Sequence, residues 1–206
     1  MIEENVQEQE EFPESKPAEK ELFTDRVLTR KIILKGITFQ MVDILFTACL
    51  FILAFLIRWK LMPIESADYF GFLEPWMEAI RTNGGWRSLS MEISNYTSPY
   101  MYIMTLLSYI STNDLYALKL VSVVFDYFAA IAVLRILYHM TGNLRKSILG
   151  MAVLLLSPTV IIDSAYWCQC DIIYTSFLLY SYLYFLEDDG EKSAIFFGLS
   201  FMFKLQ

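Results

Sequence analysis

Residues 40–57, QMVDILFTACLFILAFLI, carry one charge in eighteen positions. A run this long and this apolar predicts a membrane-spanning helix, drawn at about 38–61. Four further apolar segments follow, at about 114–139, 146–163, 171–187 and 193–206. The pattern therefore predicts an all-α integral membrane protein, a multi-helix bundle. One more apolar stretch, PYMYIMTLLSYI (99–110), has only twelve residues. Crossing a ~30 Å hydrocarbon core takes about twenty, so it reads as an interfacial or re-entrant helix.

The first connecting stretch, 62–113, is long and organised. Within FLEPWMEAIRT, Phe72, Trp76 and Ile80 recur at every fourth position beside Leu73 and Met77. Glu74, Glu78 and Arg81 fall on the other side. That pattern predicts an amphipathic helix lying on the membrane with Trp at headgroup level. Pro75 sits in its first turn, where no N–H is needed. Asn83-Gly84-Gly85 then ends it with residues that accept positive φ.

Charge sets the orientation. Arg26, Arg30, Lys31 and Lys35 precede the first helix and place the amino terminus in the cytoplasm. With 99–110 not crossing, the basic loop TGNLRKS (141–147) also faces the cytoplasm, and 62–113 is external together with a short second loop, SAYWCQCD (164–171). Arg58 and Lys60 end the first helix on the outside, against the rule, with stems long enough to snorkel. The net charge of −7 is concentrated in residues 1–22, where eight Glu oppose two Lys. Residues 1–36 thus read as a disordered acidic cytoplasmic tail with a basic end, and 37–206 as the membrane module. Because the chain stops at FMFKLQ within its fifth apolar segment, the expectation is the amino-terminal part of a longer protein.

Few residues can carry chemistry. Asp68, at the start of the external helix, is either a base poised above the bilayer or an N-cap. Asp171 closes the second loop and has the same two readings. If the loops meet, the two carboxylates could position a hydroxyl or hold a divalent cation. Asp163 is a third candidate. Asp43, Asp126 and Lys204 lie at membrane depth, where an ionisable group costs about 2.5–3.5 kcal/mol and must face protein or a wet cavity. Lys204 could reach a phosphate or pair with Asp126. Lys119 and Asp126 stand about 10 Å apart by helix rise, too far for a direct pair. Cys168 and Cys170 are too close in sequence for an unstrained bridge, and one His excludes a His-rich metal site. Asn95-Tyr96-Thr97 matches the glycosylation sequon.

Taken in order, Ser66-Ala67-Asp68-Tyr69, Pro75-Trp76-Met77, Asn83-Gly84-Gly85-Trp86, Asn95-Tyr96-Thr97-Ser98-Pro99-Tyr100, Phe125-Asp126-Tyr127, Trp167-Cys168-Gln169-Cys170-Asp171 and Phe203-Lys204-Leu205-Gln206 resemble the GT-C superfamily of polytopic glycosyltransferases. The likeness is to bacterial relatives of the GPI-anchor mannosyltransferases and covers about 40–206. Two positions depart from the family pattern. Cys168 stands where W-G-Q-x-D has Gly, and Ser98 stands at the first position of a Pro-Pro. The resemblance implies a bundle with interfacial helices in the first external loop, in a bacterial plasma membrane with its site outside. It implies a mannose- or glucose-type sugar taken from a polyprenyl-phosphate donor and passed to an extracytoplasmic glycan or glycolipid acceptor with inversion. Asp68 would be the catalytic base, with Asp171, Gln169, Asn95, Tyr96, Lys204 and Arg81 binding substrate. Asp68 and Asp171 are the candidate ligands for a divalent cation. The expected partners are donor, acceptor and membrane lipid, with no nucleic acid. Two rival readings are a transporter or flippase of lipid-linked glycans and a non-catalytic membrane scaffold.

Overall fold

The computed structural model describes residues 30–34 and 37–203. The acidic segment 1–29 and Lys204 lie outside the described residues. The chain divides into two units, Met1–Val42 and Asp43–Gln206. The first holds an antiparallel hairpin, β1 (Lys31–Leu34) and β2 (Ile37–Gln40), in register Lys31 with Gln40 through Leu34 with Ile37. The hairpin lies where the sequence reading had a disordered tail running into the first helix. Its residues, KIIL and ITFQ, are rich in β-branched and aromatic side chains, which favour extended backbone.

Every other described element is helical. α1 (Met41–Leu61), α2 (Glu74–Thr82), α3 (Ser98–Ile110) and α4 (Asp114–Thr141) come first. α5 (Leu144–Leu155), α6 (Pro158–Ile161), α7 (Asp171–Leu186) and α8 (Gly190–Phe203) follow. Two π-helical stretches precede α2 and follow α6, at Tyr69–Leu73 and Ile162–Trp167. A 3₁₀ turn, Gly85–Ser90, follows α2.

α1, with 21 residues, and α4, with 28, are long and apolar enough to cross a membrane. The third apolar segment is broken. α5 and the stretch Pro158–Trp167 meet at 48° and together make a third crossing if they form one span. Pro158 explains the break, because the residue before a proline is pushed out of helical backbone and Ser157 has ψ 124°. α7 and α8 have 16 and 14 described residues, short of the roughly twenty a straight crossing takes. The apolar segments at 171–187 and 193 onward therefore form a helical pair whose crossing length is not reached within the described residues. α1 leaves Phe46, Ile52, Leu53 and Leu56 exposed while burying only Leu50, Ala54 and Arg58. An apolar surface of that kind suits lipid.

α4 is the central helix and packs against α5 and α7, and α7 packs against α8. Small residues allow the close approach. Ala129 and Ala130 are fully buried, and a Cβ on Gly150 would meet Leu137 Cδ1 at 2.0 Å. Charged groups join α4 to α1 and to the second π stretch. Arg58 and Asp126 are both fully buried and pair at 2.7 Å, and Ser164 Oγ donates to the same Asp126 oxygen at 2.6 Å. Arg58 thus turns inward where snorkelling was expected. Asp126 has Arg58 as its ion-pair partner, where the sequence reading offered Lys204. Lys119 Nζ, also buried, donates to the carbonyls of Leu61, Met62 and Ile64 at 3.1, 3.3 and 2.6 Å. It therefore holds the carbonyls of the last residue of α1 and of the turn that follows it.

Candidate functional site

The site is built at the end of the bundle where α1 finishes and α4 begins. Tyr69, Leu73, Met77 and Ile80 point down from the first loop onto Tyr100 and Met104 of α3, Leu118 of α4 and Ile173 of α7, forming one buried cluster. The amphipathic pattern of 72–80 is realised in α2, which buries Met77 and Ile80 completely. Gly84 and Gly85, at φ 83° and 63°, follow α2 in the left-handed region. α3 covers 98–110, the stretch read as too short to cross, and buries five residues including Tyr100 and Met104.

Two side-chain ties stitch the loops together. Ser66 Oγ donates to the Trp167 carbonyl at 2.8 Å and accepts from the Tyr69 N–H at 3.1 Å. Ser122 Oγ of α4 donates to the Gln169 carbonyl at 2.7 Å. Sequence reasoning gave neither serine a part in the site, since a lone Ser carries no periodic signal. The bend after the second π stretch is made by Cys168, whose φ is 66° and whose side chain is buried. This is the position where the resembled family carries Gly. A non-glycine residue is uncommon in that backbone region. Burial pushes the Cys168 thiol up to about 12, with Lys119 opposing.

These ties bring Gln169 to Asp68. Gln169 Nε2 donates to Asp68 Oδ2 at 2.7 Å, and Tyr96 OH donates to Gln169 Oε1 at 2.9 Å. The two contacts fix the amide of Gln169 with its nitrogen toward the carboxylate. Asp68 Oδ1 keeps no hydrogen bond among the described residues. Asp68 makes no capping bond to the helix behind it, and its oxygen goes across to the second loop instead. A cavity of about 120 Å³ opens beside these groups, lined by Asp68, Asn95, Tyr96 and Gln169 on its polar side and by Phe72, Leu73 and Trp76 on the other. Trp76 meets Tyr96 edge to face with centroids 5.1 Å apart.

Asp171 is the first residue of α7, two positions after Gln169. Tyr96 titrates well above an ordinary phenol, mainly through burial and then through Cys170, Asp171 and Asp68, so both carboxylates act on this ring. Tyr69 is raised to about 12 by burial and next by Glu74. Arg81 stands apart from the cavity lining. It pairs with Asp114 and donates to the Ser111 carbonyl at 2.8 Å, and the Asp114 hydrogen bond raises its pKa. Thr97 Oγ1 donates to the Phe203 carbonyl at 2.8 Å, tying the loop beside Asn95 and Tyr96 to the end of α8. Among the described residues no group of three or more His, Cys, Asp or Glu could hold a metal ion. Asp171 is not among the residues that line the Asp68 cavity.

No family model matches the chain, and neither a curated protein nor a solved structure matches it.

Proposed function

We propose that this chain belongs to a membrane glycosyltransferase of GT-C type that moves a hexose from a polyprenyl-phosphate donor to a glycan or glycolipid acceptor outside the cytoplasm. The observation that carries the reading is one carboxylate, Asp68, held by Gln169 from a second loop in a cavity at the end of an apolar helical bundle. A polyprenyl-phosphate sugar keeps its reactive carbon at headgroup height because its lipid lies in the bilayer.

Asp68 Oδ1 takes the proton from the acceptor hydroxyl as that oxygen bonds to the anomeric carbon. The bond from that carbon to the phosphate oxygen breaks, its electron pair leaves with the phosphate, and the configuration inverts. Gln169 fixes the other carboxylate oxygen and so aims the base. Asn95 and Tyr96 offer an amide and a phenol toward the sugar hydroxyls, and Trp76 offers a ring face or edge. A divalent cation held by Asp68, Asp171 and donor phosphate would neutralise charge on the leaving group.

The test is transfer from a panel of polyprenyl-phosphate sugars by purified protein, with and without chelator. Asp68→Asn keeps its fold and loses about 10²–10⁴-fold in transfer rate. Normal product from that variant overturns the enzyme reading in favour of a transporter or scaffold.

A further inference from the structure

A second cavity, of about 200 Å³, lies on the other side of Tyr96. Tyr96 lines both cavities, Asn95 belongs to the first, and Ser94 belongs to the second. The second is walled by the stretch 88–94 and the first turn of α3, with Ser88, Glu92, Ser94 and Ser98 on its polar surface and Tyr96 and Tyr102 as its rings. We infer that this second cavity is a subsite for a pyranose ring of the acceptor glycan, separated from the Asp68 cavity by Tyr96.

Its chemistry is that of a polyol receptor. A sugar hydroxyl both donates and accepts, and serine hydroxyls answer either role. A carboxylate accepts from two neighbouring hydroxyls with charge-assisted bonds. Glu92 is exposed, and among the described residues neither its carboxylate nor the Ser98 hydroxyl makes a hydrogen bond or ion pair. Ser94 Oγ accepts from the Tyr96 N–H at 3.2 Å and donates to Met101 Sδ at 2.8 Å, and the buried Ser88 Oγ donates to the Gly85 carbonyl at 2.6 Å, so these two hydroxyls hold the cavity wall and leave Glu92 and Ser98 to meet the sugar. The rim is aromatic. Trp86 stands 6.2 Å from Tyr102 and stacks with Tyr109 at 6.5 Å and 23°, with Trp86 and Tyr102 each 51% exposed. Such a platform presents ring faces to the apolar C–H side of a sugar while the cavity's polar groups meet its hydroxyls. Membrane anchoring accounts for exposed Trp and Tyr at an interface, but it does not call for an unpaired carboxylate and a free serine beside them.

The ring's role as acceptor rests on the glycosyltransferase reading; its binding does not. The experiment is saturation-transfer NMR on the full chain in phosphatidylcholine nanodiscs, free of glycolipid and of sugar-headed detergent. The probes are methyl α-mannopyranoside and methyl β-glucopyranoside. The expected result is transfer to ring protons of at least one glycoside, with affinity about tenfold weaker in Glu92→Gln and in Ser98→Leu. Glu92 is exposed, so its variant tests the site without threatening the fold. Asp68→Asn leaves binding unchanged. No transfer to either glycoside, or binding indifferent to both cavity variants, overturns the subsite. A second arm adds a diglycosyl lipid to the disc. Displacement of the soluble probe assigns a lipid-borne ring, and persistence assigns a free glycan. Binding that persists while Asp68→Asn retains sugar transfer defeats the enzyme reading and leaves the subsite standing.

Discussion

Gln169 connects the two outer loops through its side chain, accepting from Tyr96 and donating to Asp68. Its amide is useful only in one orientation, and Tyr96 sets it. Tyr96→Phe removes the bond to Oε1 and lets the amide turn. Gln169→Leu removes both bonds and leaves a carboxylate that can rotate. The expected order in transfer rate is wild type, then Tyr96→Phe, then Gln169→Leu, with donor KM changing less than kcat. A Tyr96→Phe rate equal to wild type shows that the phenol does not orient Gln169. Cys168 tests the bend itself. Its thiol titrates near 9 when unfolded and near 12 when folded, so the folded state keeps a proton that the unfolded state releases. The stability this gives is complete below pH 9 and is lost as pH rises from about 9 to 12. Cys168→Gly keeps the left-handed backbone and removes the titrating group, so its chemical-denaturation midpoint falls less steeply across that window. Tyr69, raised from 10 to about 12, has the same sign and keeps part of the slope in the variant.

At the scale of elements, α1 and α4 are joined by a pair of buried charges 68 residues apart. Removing one partner of such a pair strands the other and costs about 3–5 kcal/mol. Arg58→Leu should lower thermal stability by that amount, and Arg58→Leu with Asp126→Leu should recover most of it. Failure of the double variant to recover indicates that Ser164, or the unpartnered Arg58 Nη2 and Asp126 Oδ1, need the charges for more than each other. What the sequence made legible at this scale was local. The single charge in 40–57, the fourfold spacing of Phe72, Trp76 and Ile80, and the twelve residues of 99–110 each determine a helix through their own periodicity or length. Arg58 was misjudged as snorkelling because its partner lies in a helix whose distance along the chain leaves no pattern. The same holds for the serine ties from Ser66 and Ser122, each of which spans many tens of residues and decides where Gln169 stands. The β1–β2 hairpin went unread because its apolar residues adjoin α1 and merge with that helix in any windowed reading. Asp68 stood out by its place at the start of the external helix, whereas Asn95, Tyr96 and Gln169 were visible as site residues only as members of an ordered set, since no spacing rule joins residues 68 and 169.

For the whole molecule, α4 is the longest apolar helix, with 28 residues. If α4 spans the bilayer, residues before and after it face opposite sides. Cysteine introduced at Ser90 and at Lys146, both exposed positions flanking α4, tests this with a membrane-impermeant maleimide on sealed vesicles. One of the two should label from a given side and the other only after permeabilisation. Cys168 and Cys170 are buried and should stay silent throughout. Equal labelling of both sites before permeabilisation contradicts a single crossing by α4.

The ammonium of Lys119 reaches the peptide oxygens of Leu61, Met62 and Ile64 at the exit of α1. A slip of one helical turn, about 5.4 Å, would strip all three contacts at once and leave a bare cation in an apolar wall. The two longest helices must therefore travel as a single strut. α7 packs along α4 and travels with that strut, so any opening beside it has to come from pieces held less closely, such as the loop around Ser94.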